Sequence, residues 1–329
     1  MSSIVYFDAD ADLELLRDKT IAILGYGAQG RAHALNLRDG GFRVVVGQRP
    51  GSRRHDAAVT DGFAPISLAE ATRQSDIVNL LLPDELHGSL FQSEIGPNLS
   101  TGKIIMTCHG YSLHYGHVVP PDGVAAILVA PKGAGHRVRS AFVEGTGVPF
   151  LIALGKNSDS HSKAIGLAYA KALGGTRVGV YETTVAAETE TDLFGEQAVL
   201  CGGVSHLVKA AFETLVAAGY QEELAYFECV HELKLVVDLI YHGGLAYMHD
   251  HISNTAEFGD YTRGPRIVDE NVRTRLREIL DEIRSNKFAG EMQAEFVAGQ
   301  PILIAHRAAE RESHIEQVGR RLRRQMNLS

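Results

Sequence analysis

The segment from Thr20 to Gly47 most restricts what this chain can fold into. TIAILG (20–25) is a short apolar run, followed by the turn Gly25-Tyr26-Gly27-Ala28-Gln29-Gly30. A helical stretch covers about Ala28 to Asp39, and FRVVVG (42–47) is a second apolar run. Strands apolar on both faces belong in a parallel sheet covered by helices on either side. The pattern recurs in DIVNLLL (76–82), KIIMTC (103–108), AAILVA (125–130) and PFLIAL (149–154). The helical stretch SHSKAIGLAYAKALGG then closes the series at Gly174. The first half is therefore expected to be an α/β, Rossmann-type nucleotide domain.

The turn is a GxGxxG between a strand and a helix. Its glycines allow a tight turn and close approach to a pyrophosphate, which the helix N-terminus stabilises. An acid that would hold a ribose 2′-hydroxyl is expected some 20 residues on. At that place stands Gly47-Gln48-Arg49-Pro50-Gly51-Ser52-Arg53-Arg54. Arginine forks and a serine hydroxyl suit a 2′-phosphate, so NADPH is expected rather than NADH. His109-Gly110 and Pro131-Lys132-Gly133 each follow a strand, where open α/β sheets place ligands. A histidine there can equally be structural and a lysine a surface charge. Together they are candidates for substrate contact or proton transfer.

From about Thr183 the hydrophobic period becomes helical, in LFGEQAVLCGGVSHLVKAAFETLVAAG, QEELAYFECVHELKLVVDLIYHGGLAYMHDHI and a charged tail from Asn271. Gly219 and Gly243-Gly244 read as helix ends. We place a nucleotide-binding domain at 1–182 and a helical domain at 183–329. Helices apolar on more than one face predict a homodimer.

This half carries two acid pairs at helical spacing, Asp192 with Glu196 and Glu228 with Glu232, and Glu188 lies one turn before Asp192. Four residues return a helix to within about 40° of the same face. Each pair should point both carboxylates one way, within flanks too apolar for a freely solvated face. Buried carboxylates at roughly 4 Å repel by about 4 kcal/mol at an effective dielectric near 20. A hard cation such as Mg²⁺ would relieve that repulsion. Acids at this spacing also line ordinary solvated helices; two pairs within apolar segments favour the metal.

A formal charge of −8 argues against a general nucleic-acid binder. The basic run Arg320–Arg324 reads as a solvated helix end or an oligomer contact. Cys108, Cys201 and Cys229 lack CxxC spacing and sit in apolar contexts. They read as reduced, mostly buried thiols of a cytoplasmic protein, although Cys108 beside His109 could be a nucleophile. No signal peptide and no apolar run of spanning length are read, so neither secretion nor a membrane is expected.

GYGAQGRAHALNLRDGG, LLLPDE, CHGYSLHYG, VAPKGAGH, ETETDLFGEQAVLCGG, FECVHELKLVVDLIYHGG and SNTAEFGDY follow in that order. The chain thereby resembles ketol-acid reductoisomerase, in its short class I form, over nearly its whole length. The resemblance implies a Rossmann domain and an all-α domain intertwined with its partner in a homodimer with shared active sites; assembly beyond the dimer stays open. In that family Mg²⁺ drives a 1,2-alkyl shift in the 2-acetohydroxy acids 2-acetolactate or 2-aceto-2-hydroxybutyrate. NADPH then reduces the product to a 2,3-dihydroxy acid.

Two metal ions are implied among Asp192 and Glu196 of one chain and Glu228 and Glu232 of the other, with Asp192 bridging. Glu188 matches a further acid of the site, and Ser253 a serine that hydrogen-bonds the substrate carboxylate. His109 near the nicotinamide, Lys132 near the metals and Glu232 form the implied catalytic set. Pro83 and Asp84 of LLLPDE and Gly135 of VAPKGAGH join the GxGxxG residues and Arg49, Ser52, Arg53 and Arg54 as cofactor contacts. Departures are Arg54, where many short forms have serine, Ala134 in place of a common proline, and Cys108 and His251 at variable positions. Two other readings stay open: a Mg²⁺-independent reductase of 2-keto acids, and a non-catalytic NADPH-binding scaffold.

Overall fold

The computed structural model describes residues 4–327. Eight strands form one sheet: β1 (Val5–Tyr6), β2 (Thr20–Leu24), β3 (Arg43–Gly47), β4 (Ile77–Leu80), β5 (Ile104–Thr107), β6 (Ala125–Pro131), β7 (Phe150–Leu154) and β8 (Val180–Glu182). Their spatial order is β1-β8-β7-β6-β5-β4-β2-β3. β3, β2, β4, β5 and β6 pair in parallel, as the apolar runs predict. The expectation of a purely parallel sheet is corrected at β7, which runs antiparallel to β6, and at β1, which runs antiparallel to β8. A 3₁₀ turn and the αL residue Gly174 close the helix Ser160–Ala172 and send the chain into β8. At two and three residues, β1 and β8 are too short to show a period.

The order of connection reverses between β2 and β4: the chain steps from β2 outward to β3, then back across to β4. Their carboxyl ends flank the crevice where such sheets bind ligands. Apolar side chains of both sheet faces fill the core, among them Ile21, Ile23, Ile77, Met106, Ile127 and Phe150 on one side and Leu24, Val78, Ile105 and Ala126 on the other.

Two compact units make up the chain, one up to Thr191 and the other from Asp192. The sheet ends at Glu182, but the first turns of the helix Val185–Gly195 pack with the sheet-bearing unit. The second unit is helical throughout, from Gly202–Ala217 to His314–Gln325, and Gly219 (φ +89°) ends a helix as expected. Gly244 does not end its helix. It interrupts Glu232–Asp250 with a backbone (φ 84°, ψ −177°) that only glycine adopts readily.

Four expectations need correction. Asp192 is half-buried, and Glu196, Glu228 and Glu232 are exposed in the single chain, because the apolar side chains around them are uncovered too. Cys201 is exposed, whereas Cys108 and Cys229 are half-buried. The two acid-bearing stretches are not plain α-helix: each contains a π-helical turn, Glu196–Leu200 and Phe227–His231. Finally, Val185–Ala217 joins into one helical run of 33 residues, long and apolar enough to cross a membrane by length and composition.

Candidate active site

At the carboxyl ends of β2, β3, β4 and β5 lies a cleft of about 760 Å³. The GxGxxG turn forms its floor. Gly25 leaves β2 with φ +103°, and a Cβ there would lie 2.5 Å from the Leu81 carbonyl oxygen. A Cβ on Gly27 would meet nothing within 4 Å, so this residue leaves open space toward the cleft. The helix Ala28–Asp39 starts at Gly27 with no side-chain cap and no acid in its first turn. Its first amide groups are therefore left for an anion. Gly30 allows the turn to close, since a Cβ would sit 2.1 Å from the Gly25 oxygen.

The remaining expected cofactor residues divide into two groups. Tyr26, Ala28, Gln29, Arg49, Ser52, Arg54, Pro83 and Asp84 line the cleft. Gly30, Arg53 and Gly135 do not line it. Gly135 starts the helix Gly135–Val143, and a Cβ there would lie 2.3 Å from the backbone of Ala28. It acts by letting that helix abut the cofactor turn. Tyr26 contributes backbone only, because its buried ring hands its hydroxyl proton to Asp61 Oδ2 at 2.9 Å. Asp61 is also held by the Arg31 fork at 2.6 and 2.9 Å. Gln29 Nε2 donates to the Gly133 carbonyl at 2.9 Å, while its buried Oε1 has no partner among the described residues.

Beside the cleft stands a buried carboxylate. Glu188 on the helix Val185–Gly195 is 1% exposed. Lys132 Nζ donates to its Oε1 at 2.9 Å; the Gly110 amide donates to Oε2 at 2.8 Å, and His109 Nδ1 lies 3.2 Å from the same oxygen. Burial alone would raise the Glu188 pKa. The hydrogen bonds and charges of His109 and Lys132 outweigh it and hold the carboxyl below its ordinary range, so it stays ionised. Gly110 is required here because a Cβ would lie 2.2 Å from Thr189 Oγ1. His109 follows β5 and Lys132 follows β6, so the sheet edge itself delivers both to Glu188.

One turn along the same helix, Asp192 brings a carboxylate oxygen within 4.8 Å of one from Glu188, and Glu196 follows four residues later. In the second unit Glu228 and Glu232 flank the π-turn on the stretch Glu222–Asp250. Ser253 caps the helix Asn254–Ile267, its oxygen accepting the Ala256 amide at 3.2 Å. Among the described residues the one group of close metal-ligand atoms joins Glu188 and Asp192 to a ring nitrogen of His109 and does not include Glu196, Glu228 or Glu232; carboxylate oxygens of this kind fit a hard divalent cation. The open glycine turn, the uncapped helix start and the arginines at the rim fit a phosphorylated dinucleotide.

Sequence reading missed Gln48, which lines the cleft at the end of β3. Its signal was its place, where dinucleotide folds carry the ribose-binding acid.

A family profile described as acetohydroxy acid isomeroreductase, NADPH-binding domain, matches residues 15–179. A second, ketol-acid reductoisomerase, C-terminal domain, matches residues 185–328. The chain is similar to the solved structure of an NADH-preferring ketol-acid reductoisomerase from an uncultured archean, at 42% identity over 98% of each chain with a TM-score of 0.94. Fold-level likeness extends to a semialdehyde dehydrogenase NAD-binding protein from Cupriavidus necator, solved with calcium and NAD. There the identity is 20%, the TM-score 0.62, and the coverage 82% of this chain and 99% of that one. A pyrroline carboxylate reductase from Plasmodium falciparum with NADP bound gives 15%, 0.52, 82% and 98% for the same quantities.

Proposed function

The chain belongs to the ketol-acid reductoisomerase family, and from that premise we propose a two-step reaction. It rearranges 2-acetolactate or 2-aceto-2-hydroxybutyrate by an alkyl shift between adjacent carbons, then reduces the product with NADPH to a 2,3-dihydroxy acid. The observation that carries this reading is Glu188: a buried, ionised carboxylate held by His109, Gly110 and Lys132 at the rim of a dinucleotide cleft.

Two divalent cations, held by Asp192, Glu196, Glu228 and Glu232, would supply the Lewis acidity that moving an alkyl group from an alkoxide carbon to a ketone needs. The nicotinamide would supply the hydride. His109 and Lys132 together keep Glu188 ionised. His109 lines the cleft and lies against Glu188, where its ring would contact a bound nicotinamide. Ser253 accepts from Ala256, so its own hydroxyl proton is left to donate to a substrate carboxylate. Glu232 is the acid–base group.

NADPH preference rests on Arg49 and Arg54 at the cleft. Both guanidiniums are exposed and present planar, bidentate donors that suit a 2′-phosphate. The NADH preference of the archean relative belongs to that protein; on one fold, the loop after β3 decides which cofactor is taken.

We read the run Val185–Ala217 as a helix covered by a second chain. Glu188, Glu190, Asp192 and Glu196 lie along it, and each would cost several kcal/mol, on the order of 2.5–3.5, at the centre of a bilayer.

The test is cofactor oxidation with 2-acetolactate, in Mg²⁺ and then in EDTA. Turnover that EDTA abolishes and Mg²⁺ restores is expected. If 2-acetolactate is inert while 3-hydroxy-3-methyl-2-oxobutanoate is reduced regardless of EDTA, the chain is a keto-acid reductase and the reading fails.

A further inference from the structure

We infer that Gln48 is a positioning residue that sets the choice between NADPH and NADH, by tying the pyrophosphate turn to the 2′-phosphate loop through its carboxamide. This inference rests on the NADPH reading above. Tyr26 N–H, within the GxGxxG turn, donates to Gln48 Oε1 at 3.2 Å. Gln48 Nε2 donates to Ser52 Oγ at 3.1 Å. A backbone amide can only donate, so the Tyr26 contact fixes which end of the carboxamide carries the oxygen. The backbone of Gln48 is anchored separately, its N–H donating to the Ile66 carbonyl at 2.9 Å.

The consequence falls on Ser52. Its oxygen accepts from Gln48 and from the His55 amide at 3.1 Å, as cap of the helix Arg53–Thr60. Its single proton goes to the Arg49 carbonyl at 2.9 Å. Ser52 therefore has no donor left for a phosphate while this arrangement stands. Its hydroxyl is a structural pin, and the positive groups of Arg49 and Arg54 are what remain to read the 2′-phosphate. Gln48 holds the pin against the pyrophosphate turn, which fixes the distance between the two places where the cofactor's phosphates would bind. It stands at the end of β3, where folds of this kind place an acid that accepts the ribose 2′-hydroxyl of NADH. A neutral carboxamide there adds no repulsion to a 2′-phosphate and is occupied by the protein's own groups.

Gln48→Glu is nearly isosteric and separates the two roles. One carboxylate oxygen keeps the Tyr26 amide. The other can only accept, so Ser52 must turn its proton from Arg49 toward residue 48. The new charge also opposes a 2′-phosphate. Gln48→Leu removes the tie without adding charge.

The experiment is equilibrium binding of NADPH, NADH and 2′,5′-ADP to the full chain and both variants, by fluorescence titration or calorimetry, with thermal melting as a check on folding. We expect Gln48→Glu to weaken NADPH and 2′,5′-ADP by about tenfold, or about 1.4 kcal/mol, and to leave NADH unchanged or tighter. Gln48→Leu should lower the NADPH/NADH affinity ratio by a smaller factor. Equal weakening of both dinucleotides in both variants would make Gln48 a general support of the turn and overturn the inference, as would unchanged ratios. A wild-type chain with no preference for NADPH would sink the NADPH reading instead; the shift in ratio produced by Gln48→Glu would still decide the role of Gln48.

Discussion

Around Tyr169 several polar side chains meet deep in the apolar core of the sheet-bearing unit. Asn79 Nδ2 donates to its hydroxyl at 2.7 Å, so the hydroxyl proton goes to His33 Nδ1 at 3.0 Å. That assigns the His33 proton to Nε2, a buried donor without a partner among the described residues. Burial pushes the His33 pKa down to about 3, against about 6.5 in an unfolded chain. Below pH 6.5 the unfolded chain thus binds a proton that the folded one refuses. Stability is lost as pH falls from roughly 6.5 toward 3, by about 1.4 kcal/mol per unit. His33→Gln keeps an acceptor for Tyr169 and cannot titrate. Urea unfolding at pH 7.5 and 5.0 should show the wild type losing roughly 2 kcal/mol more than the variant; parallel losses would mean that His33 charges without unfolding.

At the scale of elements, glycine does opposite work on two helices. Gly135 at the start of Gly135–Val143 faces the backbone of Ala28 and Gln29, where a Cβ would come within 2.3 and 2.7 Å. Backbone cannot yield as a side-chain tip can, so Gly135→Ala should cost about 1–3 kcal/mol and weaken dinucleotide binding through the displaced turn. Gly290, within the helix Lys287–Val297, has nothing within 4 Å of a Cβ. There the same change should stabilise by about 0.5–1 kcal/mol by removing unfolded-state freedom. Denaturation midpoints that move in the same direction for both would refute the distinction. The helix Ala28–Asp39 was legible from its length between glycines, and the strands β2 to β7 as continuous apolar runs with glycine or proline nearby. The two π-turns were not, because a widened turn leaves the i, i+4 pattern of the sequence unchanged. Across Glu228 and Glu232 four residues turn about 400° in α geometry and about 330° if each advances a π-like step, so both geometries return the carboxylates near one face. The pairing of Glu188 with His109 and Lys132 was equally hidden. It joins residues 79 and 56 positions apart, and periodicity carries no information about which strand ends meet which helix.

For the whole molecule, the decisive imbalance lies in the second unit. Among its described residues only nine apolar side chains are buried, while eighteen large ones are exposed, Tyr241 at 82%. A small core around Phe212, Tyr226, Val318 and Leu322 cannot by itself account for so much apolar surface left in water. A second copy of the chain would cover it, consistent with the exposure of Glu196, Glu228 and Glu232 beside that surface. Tyr241→Glu should then convert a species of at least twice 35.7 kDa into single chains, by light scattering. If in addition the acids of two chains build each site, complementation has a calculable outcome. Asp192→Asn and Glu228→Gln homodimers should both be inactive. After the two are unfolded together and refolded, about half of the dimers are mixed, and each mixed dimer has one site carrying both lesions and one site carrying neither. Activity should return to roughly a quarter of wild type, by the two-fold symmetry of the interface. No recovery from properly mixed dimers would mean that Asp192 and Glu228 of the same chain serve one site, and the shared-site arrangement would fall while the dimer stood.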